Sequence, residues 1–208
     1  MKVTSMDLRC ITFSSTLIFL LIISGCVSKP PISDQFKRDQ WQQHQQRLAE
    51  LSEWELSGRI SFRIDDDAWT ASLIWIQNQQ NFNFRVIAPL GQGSFEFSGN
   101  EAFAKLRTSK NEVLTSENAD ELLRNHLNLD VPVTGLLFWI KGLPQPGIRS
   151  DTMLYDDSGR ITDLFQAGWS VKYDDYIKTQ GYDVPTRLTI QREKIRLRLI
   201  IKKWKITS

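Results

Sequence analysis

The sequence predicts a mainly β fold, an antiparallel sheet that curls into an open barrel and carries a helical lid. Apolar and polar residues alternate over much of the chain, as in strands with one dry and one wet face. Two short helical patterns interrupt these strands in the middle of the chain. Seven Trp and eleven Phe supply a heavy aromatic load. Because a sheet of this length has to curl or split, short helices across its mouth would close an apolar cup; a filled, well-packed core is the alternative.

The first 25 residues predict a signal peptide. Two basic residues precede the apolar run 17–23, which is too short to cross a bilayer but has the length of a signal h-region. Two small residues then precede Cys26. This arrangement resembles the lipobox of bacterial lipoproteins, which implies an S-diacylglycerol group and an N-acyl group on Cys26. An ordinary signal peptide with an incidental cysteine is the alternative.

Composition limits the remaining chain to a few classes. Residues 26–35 include two adjacent prolines and predict an acylated N-terminus with a flexible tether, and 36–208 predicts a single domain. The whole chain has 26 Lys and Arg against 24 Asp and Glu, so charge gives no general attraction to nucleic acid. Cys10 leaves with the signal and Cys26 is acylated, which excludes a disulfide or a thiol nucleophile.

The elements follow in order from a helix that begins near Ser33 and places Trp41, His44, Leu48 and Leu51 on one face. Alternation predicts five strands before the helical interlude, at 54–64, 68–76, 82–88, 95–97 and 102–108. It predicts five more after the interlude, at 152–155, 160–166, 169–173, 187–191 and 195–202. The acidic run 65–67 is interpreted as a solvated turn, because its spacing lacks the alternating ligands of a calcium loop.

Two helices form the predicted interlude. Ser116 is placed to cap the first, whose opening turn is acidic and whose apolar side ends at Leu127. The second carries Leu136 to Ile140 and ends at Gly142. Since this helix is apolar nearly all round, it must be covered on several sides or face an apolar ligand.

The chain lacks the usual signatures of catalysis. It has no Gly-rich phosphate loop after a strand, no G-x-S-x-G elbow and no His-rich metal spacing. We therefore expect no enzyme activity and no cofactor or metal beyond the lipid on Cys26. Basic residues near the C-terminus, among them Arg196 and Arg198, predict a solvated strand face, with a patch for lipid headgroups or an acidic partner as the alternative.

Several short motifs occur in an order that resembles the LolB family of outer-membrane lipoproteins. They are Trp41-x-x-His44, Gly58-Arg59, Trp75, Pro89-Leu90-Gly91 and Trp139-Ile140-Lys141-Gly142-Leu143-Pro144. The resemblance covers essentially the whole mature chain. It implies an open antiparallel half-barrel of about eleven strands, with a helical lid and an apolar cavity, a shape shared with the periplasmic carrier LolA.

The resemblance also implies a function. The chain would be a monomer anchored on the periplasmic face of the outer membrane. It would accept lipoproteins from LolA by their acyl chains and insert them into the inner leaflet. Leu90 would contact outer-membrane phospholipid. Val27, which follows the acylated cysteine, suits sorting to that membrane.

Six residues are candidates for the wall of the acyl-chain cavity. They are Trp75, Phe84, Val86, Leu136, Trp139 and Ile140. For each of them, ordinary core packing is the alternative. Two other functions stay open, a lipoprotein that binds free lipid or fatty acid in a similar cavity, and a scaffold lipoprotein with a filled core.

Overall fold

The computed structural model describes residues 33–91, 93–127 and 129–207. The predicted signal, Cys26 and most of the tether lie outside the described residues. The helices are α1 (Asp34–Glu50), α2 (Ala119–Leu127) and α3 (Val133–Trp139). The strands are β1 (Glu53–Ile64), β2 (Asp67–Asn78), β3 (Asn81–Ile87), β4 (Ser94–Gly99), β5 (Ala104–Thr108), β6 (Val113–Ser116), β7 (Ser150–Tyr155), β8 (Ile161–Gln166), β9 (Trp169–Thr179), β10 (Tyr182–Arg192) and β11 (Ile195–Ile206).

All eleven strands form one antiparallel sheet in the order β6-β5-β4-β3-β2-β1-β11-β10-β9-β8-β7. The first and last strands meet at its centre, and β6 and β7 are its two edges. The segment that holds α2 and α3 joins these edges, so it has to cross one face of the sheet. We call α2, α3 and their linker the lid. The prediction of an open antiparallel sheet with helices inserted in mid-chain is confirmed.

The inner face of the sheet follows from the alternation in sequence. In β1, Trp54, Leu56, Ile60 and Phe62 are buried, and the intervening residues point outwards. Gly58 interrupts the series at a shift in register between β1 and β11. A Cβ atom there would overlap the backbone of β11, so glycine permits a close approach where the strand bulges and bends.

Helix α1 packs against strands β7 and β10. Its N-terminus is capped by Ser33, whose hydroxyl accepts the Phe36 N–H at 3.2 Å. The predicted buried face is confirmed for Trp41, His44 and Leu48. Burial lowers the pKa of His44, which favours the neutral ring. The helix begins at Asp34, two residues inside the predicted tether.

The structure corrects two local predictions. Strand β6 has no counterpart among the ten strands that alternation predicts. The cap of α2 is Asn118 rather than Ser116, since the Asn118 side-chain oxygen accepts the N–H groups of Asp120 and Glu121 at 3.0 and 3.2 Å. The Ser116 hydroxyl instead accepts the Asn118 N–H at 3.0 Å.

Candidate functional site

An apolar cavity lies between the inner face of the sheet and the lid. Strands β1, β2, β3, β4 and β11 supply one wall. The lid supplies the other, through Leu123, Leu129, Val131 and Leu136. Every described side chain that lines the cavity is apolar, so the site offers contact by burial and dispersion rather than by directed polar bonds.

Four of the six candidate wall residues line this cavity, namely Trp75, Phe84, Val86 and Leu136. The Trp75 and Phe84 rings lie on adjacent strands with centroids 5.2 Å apart. Phe84 also contacts Phe95 of β4, which lines the cavity, with ring centroids 6.4 Å apart. The sheet therefore presents a row of aromatic rings to the cavity.

The structure places the other two candidates, Trp139 and Ile140, in the closed core. Trp139 is 0% exposed, and its indole N–H donates to Oε1 of Gln166 at 3.0 Å. The Trp139 carbonyl accepts the Tyr173 hydroxyl at 2.8 Å. Neither candidate is among the described residues that line the cavity. Both residues lie outside the wall of this cavity in the arrangement observed, and the hydrogen bonds of Trp139 connect the C-terminal end of α3 to β8 and β9.

The rest of the Trp139–Pro144 motif completes this attachment of the lid. The Lys141 ammonium donates to the Leu51 carbonyl at 3.1 Å, which ties the end of the lid to the C-terminal end of α1. Burial lowers the pKa of Lys141 to about 8. Gly142 has φ +81°, a conformation that glycine adopts without strain, and it ends the helix.

The cavity is small in the arrangement observed. Its volume is about 30 Å³, room for only about two or three water molecules. The aromatic load therefore forms a nearly filled core rather than the wide hollow that the sequence suggests. An acyl chain enters only if the lid moves away from the sheet.

Two polar contacts restrain the lid. Asp120 of α2 accepts the Val133 N–H of α3 at 2.8 Å, so the two helices are joined, and burial raises the pKa of Asp120. The linker is tied to β10 by the ion pair between Arg192 and Asp130, with Nη2 and Oδ2 2.5 Å apart. The lid side chains that line the cavity make apolar contacts.

Leu90 lies at the tip of the loop between β3 and β4, in the short 3₁₀ turn Pro89–Gly91. Its side chain is 95% exposed, and its φ is +56°. Other turn residues of this chain, such as Gln79 and Ala167, share the left-handed backbone, so the exposure of Leu90 is its distinguishing feature. The loop base is closed by the Ala88 N–H, which donates to the Gly93 carbonyl at 2.9 Å.

A second, larger cavity of about 500 Å³ opens beside the lid. It has a mixed polar and apolar wall, and we call it the polar groove. Its wall includes Trp54, Gln77, Asp120, Phe138 and Lys141. The sequence does not predict this site. These residues come from β1, β2 and both lid helices or their ends, and no short-range spacing brings them together.

The comparisons with known proteins address the family directly. Residues 52–204 match the family model described as outer membrane lipoprotein LolB. The chain belongs to the LolB family. The resemblance that the short motifs predict is thereby confirmed.

Curated members of the LolB family match nearly the full length of the chain. The outer-membrane lipoprotein LolB of Nitrosococcus oceani is 36% identical over 194 residues, which are 93% of this chain and 96% of that protein. That of Ectopseudomonas mendocina is 36% identical over 193 residues, covering 90% and 94%.

Solved structures extend the likeness to the fold alone. A LolA superfamily protein from Nitrosomonas europaea aligns with a TM-score of 0.50 at 9% identity, over 86% of this chain and 95% of that one. A DUF1329 family protein from Desulfovibrio piger aligns with a TM-score of 0.54 at 8% identity, over 86% and 94%. The LolB-family chain thus shares its half-barrel with proteins of unrelated sequence.

The described residues of this LolB-family chain offer neither a metal site nor a membrane-spanning helix. They contain no cluster of three His, Cys, Asp or Glu side chains placed to hold a metal ion. None of their helices has the length and apolar character to span a bilayer.

Proposed function

We propose that this chain receives acylated proteins from the periplasmic carrier LolA and inserts them into the inner leaflet of the outer membrane. The lid-covered cavity with an entirely apolar wall is the observation that carries the proposal. The names of the curated relatives place them at the outer membrane as lipoproteins, which supports the same location here.

The energetics of acyl chains explain why such a receiver is needed. Each CH₂ group buried away from water is worth about 0.8 kcal/mol, so a triacylated protein does not leave a membrane or a carrier unaided. An apolar wall holds tails without specific bonds, and a bilayer holds them more favourably still. Transfer from carrier to receiver to bilayer then runs downhill by contact, with no nucleotide.

Two positions outside the cavity complete the proposed mechanism. Acylated Cys26 anchors the chain to the periplasmic face of the outer membrane. Leu90 enters the membrane surface when the cargo is released, and its 95% exposure on a narrow loop supports this role. Leu90 is also the most exposed of the described large hydrophobic side chains, at 95% against 54% or less for the others.

A transfer assay tests the receiver step. LolA loaded with a labelled triacylated protein is mixed with this chain, and we expect the label to move to it. Val86→Thr puts a hydroxyl into the cavity wall at nearly constant shape and is expected to lower transfer several-fold, since an unpaired polar group there costs about 1–3 kcal/mol. Ile87→Thr, on the outward face of the same strand, is the matched control and should transfer normally.

Absence of transfer to the wild-type chain would contradict the proposal. If the purified chain instead retained free fatty acid identified by mass spectrometry, the alternative of a free-lipid carrier would be favoured.

A delivery assay tests Leu90 separately. Leu90→Glu is expected to accept cargo from LolA normally but to fail to insert it into liposomes, because a carboxylate does not enter the apolar part of a bilayer. Leu90→Phe, which keeps an apolar tip, should deliver normally. Normal delivery by Leu90→Glu would remove the membrane role of this loop.

A further inference from the structure

We propose that the polar groove binds the amide- and ester-bearing head of an acylated N-terminal cysteine, while the attached tails occupy the apolar cavity. The inference rests on the proposed function. It concerns the polar head of the cargo, which the apolar cavity does not hold. It depends on three buried polar groups that the fold itself does not satisfy.

Lys141 is the first of these groups. Its side chain is 9% exposed, and in the described part of the chain its only hydrogen bond is to the Leu51 carbonyl. No carboxylate of the described residues lies within ion-pair distance of it, although a buried ammonium is normally paired. Because an ammonium has three N–H donors, two remain for oxygen acceptors of a ligand.

Trp54 and Gln77 supply the other two groups. Trp54 is 2% exposed, yet its indole N–H has no partner among the described residues. The buried side-chain oxygen of Gln77 likewise has none, while its amide nitrogen is engaged with the Gln79 carbonyl at 2.8 Å. Four buried side-chain atoms of the described residues lack a partner, and two of them, on Trp54 and Gln77, line this groove; the other two are on His44 and Trp75. Because buried polar atoms are nearly always hydrogen-bonded, the two that share the groove indicate a missing partner there.

The combination of donors and acceptor defines the chemistry of that partner. Lys141 and Trp54 donate to carbonyl oxygens, and the Gln77 oxygen accepts an N–H. An acylated cysteine offers ester carbonyls, an amide carbonyl and amide N–H groups within a few bonds of its tails. A free carboxylate fits less well, because Glu101, Glu117 and Asp120 also line the groove.

The groove and the apolar cavity share a wall, which allows one ligand to occupy both. Trp54, on the groove, packs against Trp75, on the cavity, with ring centroids 5.7 Å apart. Phe82 and Phe84 make a second such pair, at 6.1 Å. Leu136 and Leu137 are adjacent on α3, and they face the cavity and the groove respectively. A displacement of α3 would therefore connect the two spaces.

Competition binding tests the inference on the full-length mature chain. Diphenylhexatriene, a fluorescent hydrocarbon with no polar atoms, reports the apolar cavity and is displaced by a synthetic tripalmitoylated cysteine peptide or by methyl palmitate. Lys141→Met is expected to weaken the peptide about tenfold, and Gln77→Leu about fivefold. Lys202→Met, an exposed lysine on the outer face of β11, is the control for lost charge.

Methyl palmitate separates head recognition from tail binding. It has a carbonyl but no amide N–H, so Lys141→Met should weaken it and Gln77→Leu should not. Trp54→Phe removes the indole N–H and should weaken both ligands. Diphenylhexatriene should bind all the variants with wild-type affinity.

The outcomes distinguish the inference from the function on which it rests. If wild type binds diphenylhexatriene but not the peptide, the proposed function fails. If wild type binds the peptide and the groove variants bind it equally well, only the groove assignment fails. A parallel loss of diphenylhexatriene in every groove variant would also overturn the assignment, since it would indicate damage to the cavity.

Discussion

The two ends of the lid are held to the sheet by different forces. At the C-terminal end of α3, which we call the anchored end, Trp139 and Lys141 make buried hydrogen bonds to β8, β9 and the C-terminal end of α1. At the cavity end, formed by α2 and the linker, the inward side chains Leu123, Leu129 and Val131 make apolar contacts. Arg192 of β10 holds this end to the sheet through its ion pair with the Asp130 carboxylate and a longer hydrogen bond, at 3.4 Å, to the Asp130 carbonyl.

This difference indicates where the lid moves. Hydrogen bonds between buried groups have fixed directions, and breaking one leaves an unsatisfied polar atom. Apolar contacts have no direction, and an acyl chain replaces them with equivalent ones. The structure therefore favours a lid that pivots at the anchored end while its cavity end lifts from the sheet.

The largest effect is expected from removing the anchored end. Trp139→Ala should lower the free energy of unfolding by about 3–5 kcal/mol, because it leaves a cavity in the core and deprives the Gln166 oxygen of a donor. Urea unfolding followed by circular dichroism measures this. Leu137→Ala, on the half-buried side of the same helix, is the matched control and should cost far less. Equal costs at the two positions would contradict the distinction between anchored and free surfaces of α3.

A smaller, pH-dependent effect is expected at Lys141. Its pKa in the folded chain is about 8 against an ordinary value of 10.5, so the folded chain releases this proton at lower pH than the unfolded chain. The resulting penalty is fully present below pH 8 and is relieved as pH rises towards 10.5. A lowering of this size corresponds to about 3 kcal/mol.

The measurement compares wild type with Lys141→Met between pH 7 and pH 10. We expect the stability of wild type to rise relative to that of the variant over this range. Burial raises the pKa values of Tyr173 and Tyr176, so these two residues lower the stability as the pH rises. Both proteins contain them, and the difference between wild type and variant therefore cancels their contribution. A constant difference across the range would show that Lys141 is solvated rather than buried.

Some elements of this fold are predictable from the sequence and others are not. Strand β1 is predictable because the alternation of Trp54 to Ile64 records one buried and one wet face. Strand β6 is not, since four half-exposed residues at an edge, Val113–Ser116, are too few to show a period. Its existence follows from pairing with β5, which only the folded sheet supplies.

The roles of residues at the candidate site are also predictable only in part. An apolar residue on an inward strand face, such as Phe84, is predictable as part of the wall. Whether a lid residue faces the cavity or the core depends on what lies opposite. Trp139 meets Gln166, 27 residues later, through the register of β8. The polar groove is unpredictable for the same reason, because distant elements assemble it.

The smallest change in stability, with a clear kinetic consequence, is expected at the cavity end. Asp130→Asn removes the charge that pairs with Arg192, and both side chains are partly exposed, at 46% and 31%. Such a pair is worth about 1 kcal/mol or less, so the unfolding free energy should barely change. The rate of diphenylhexatriene uptake should nevertheless rise several-fold, because the linker is released from β10.

Stopped-flow fluorescence measures that rate, and two comparisons make it specific. Arg124→Gln removes the other partner of Asp130, which lies within the lid, and should leave uptake unchanged. Raising the salt concentration from about 0.1 to about 1 M screens exposed charges. Salt should therefore speed uptake by the wild type more than by Asp130→Asn. Uptake at one rate, with one salt dependence, by the wild type, Asp130→Asn and Arg124→Gln would contradict this model. The cavity end would then not be the part of the lid that opens, and the pivot would lie elsewhere.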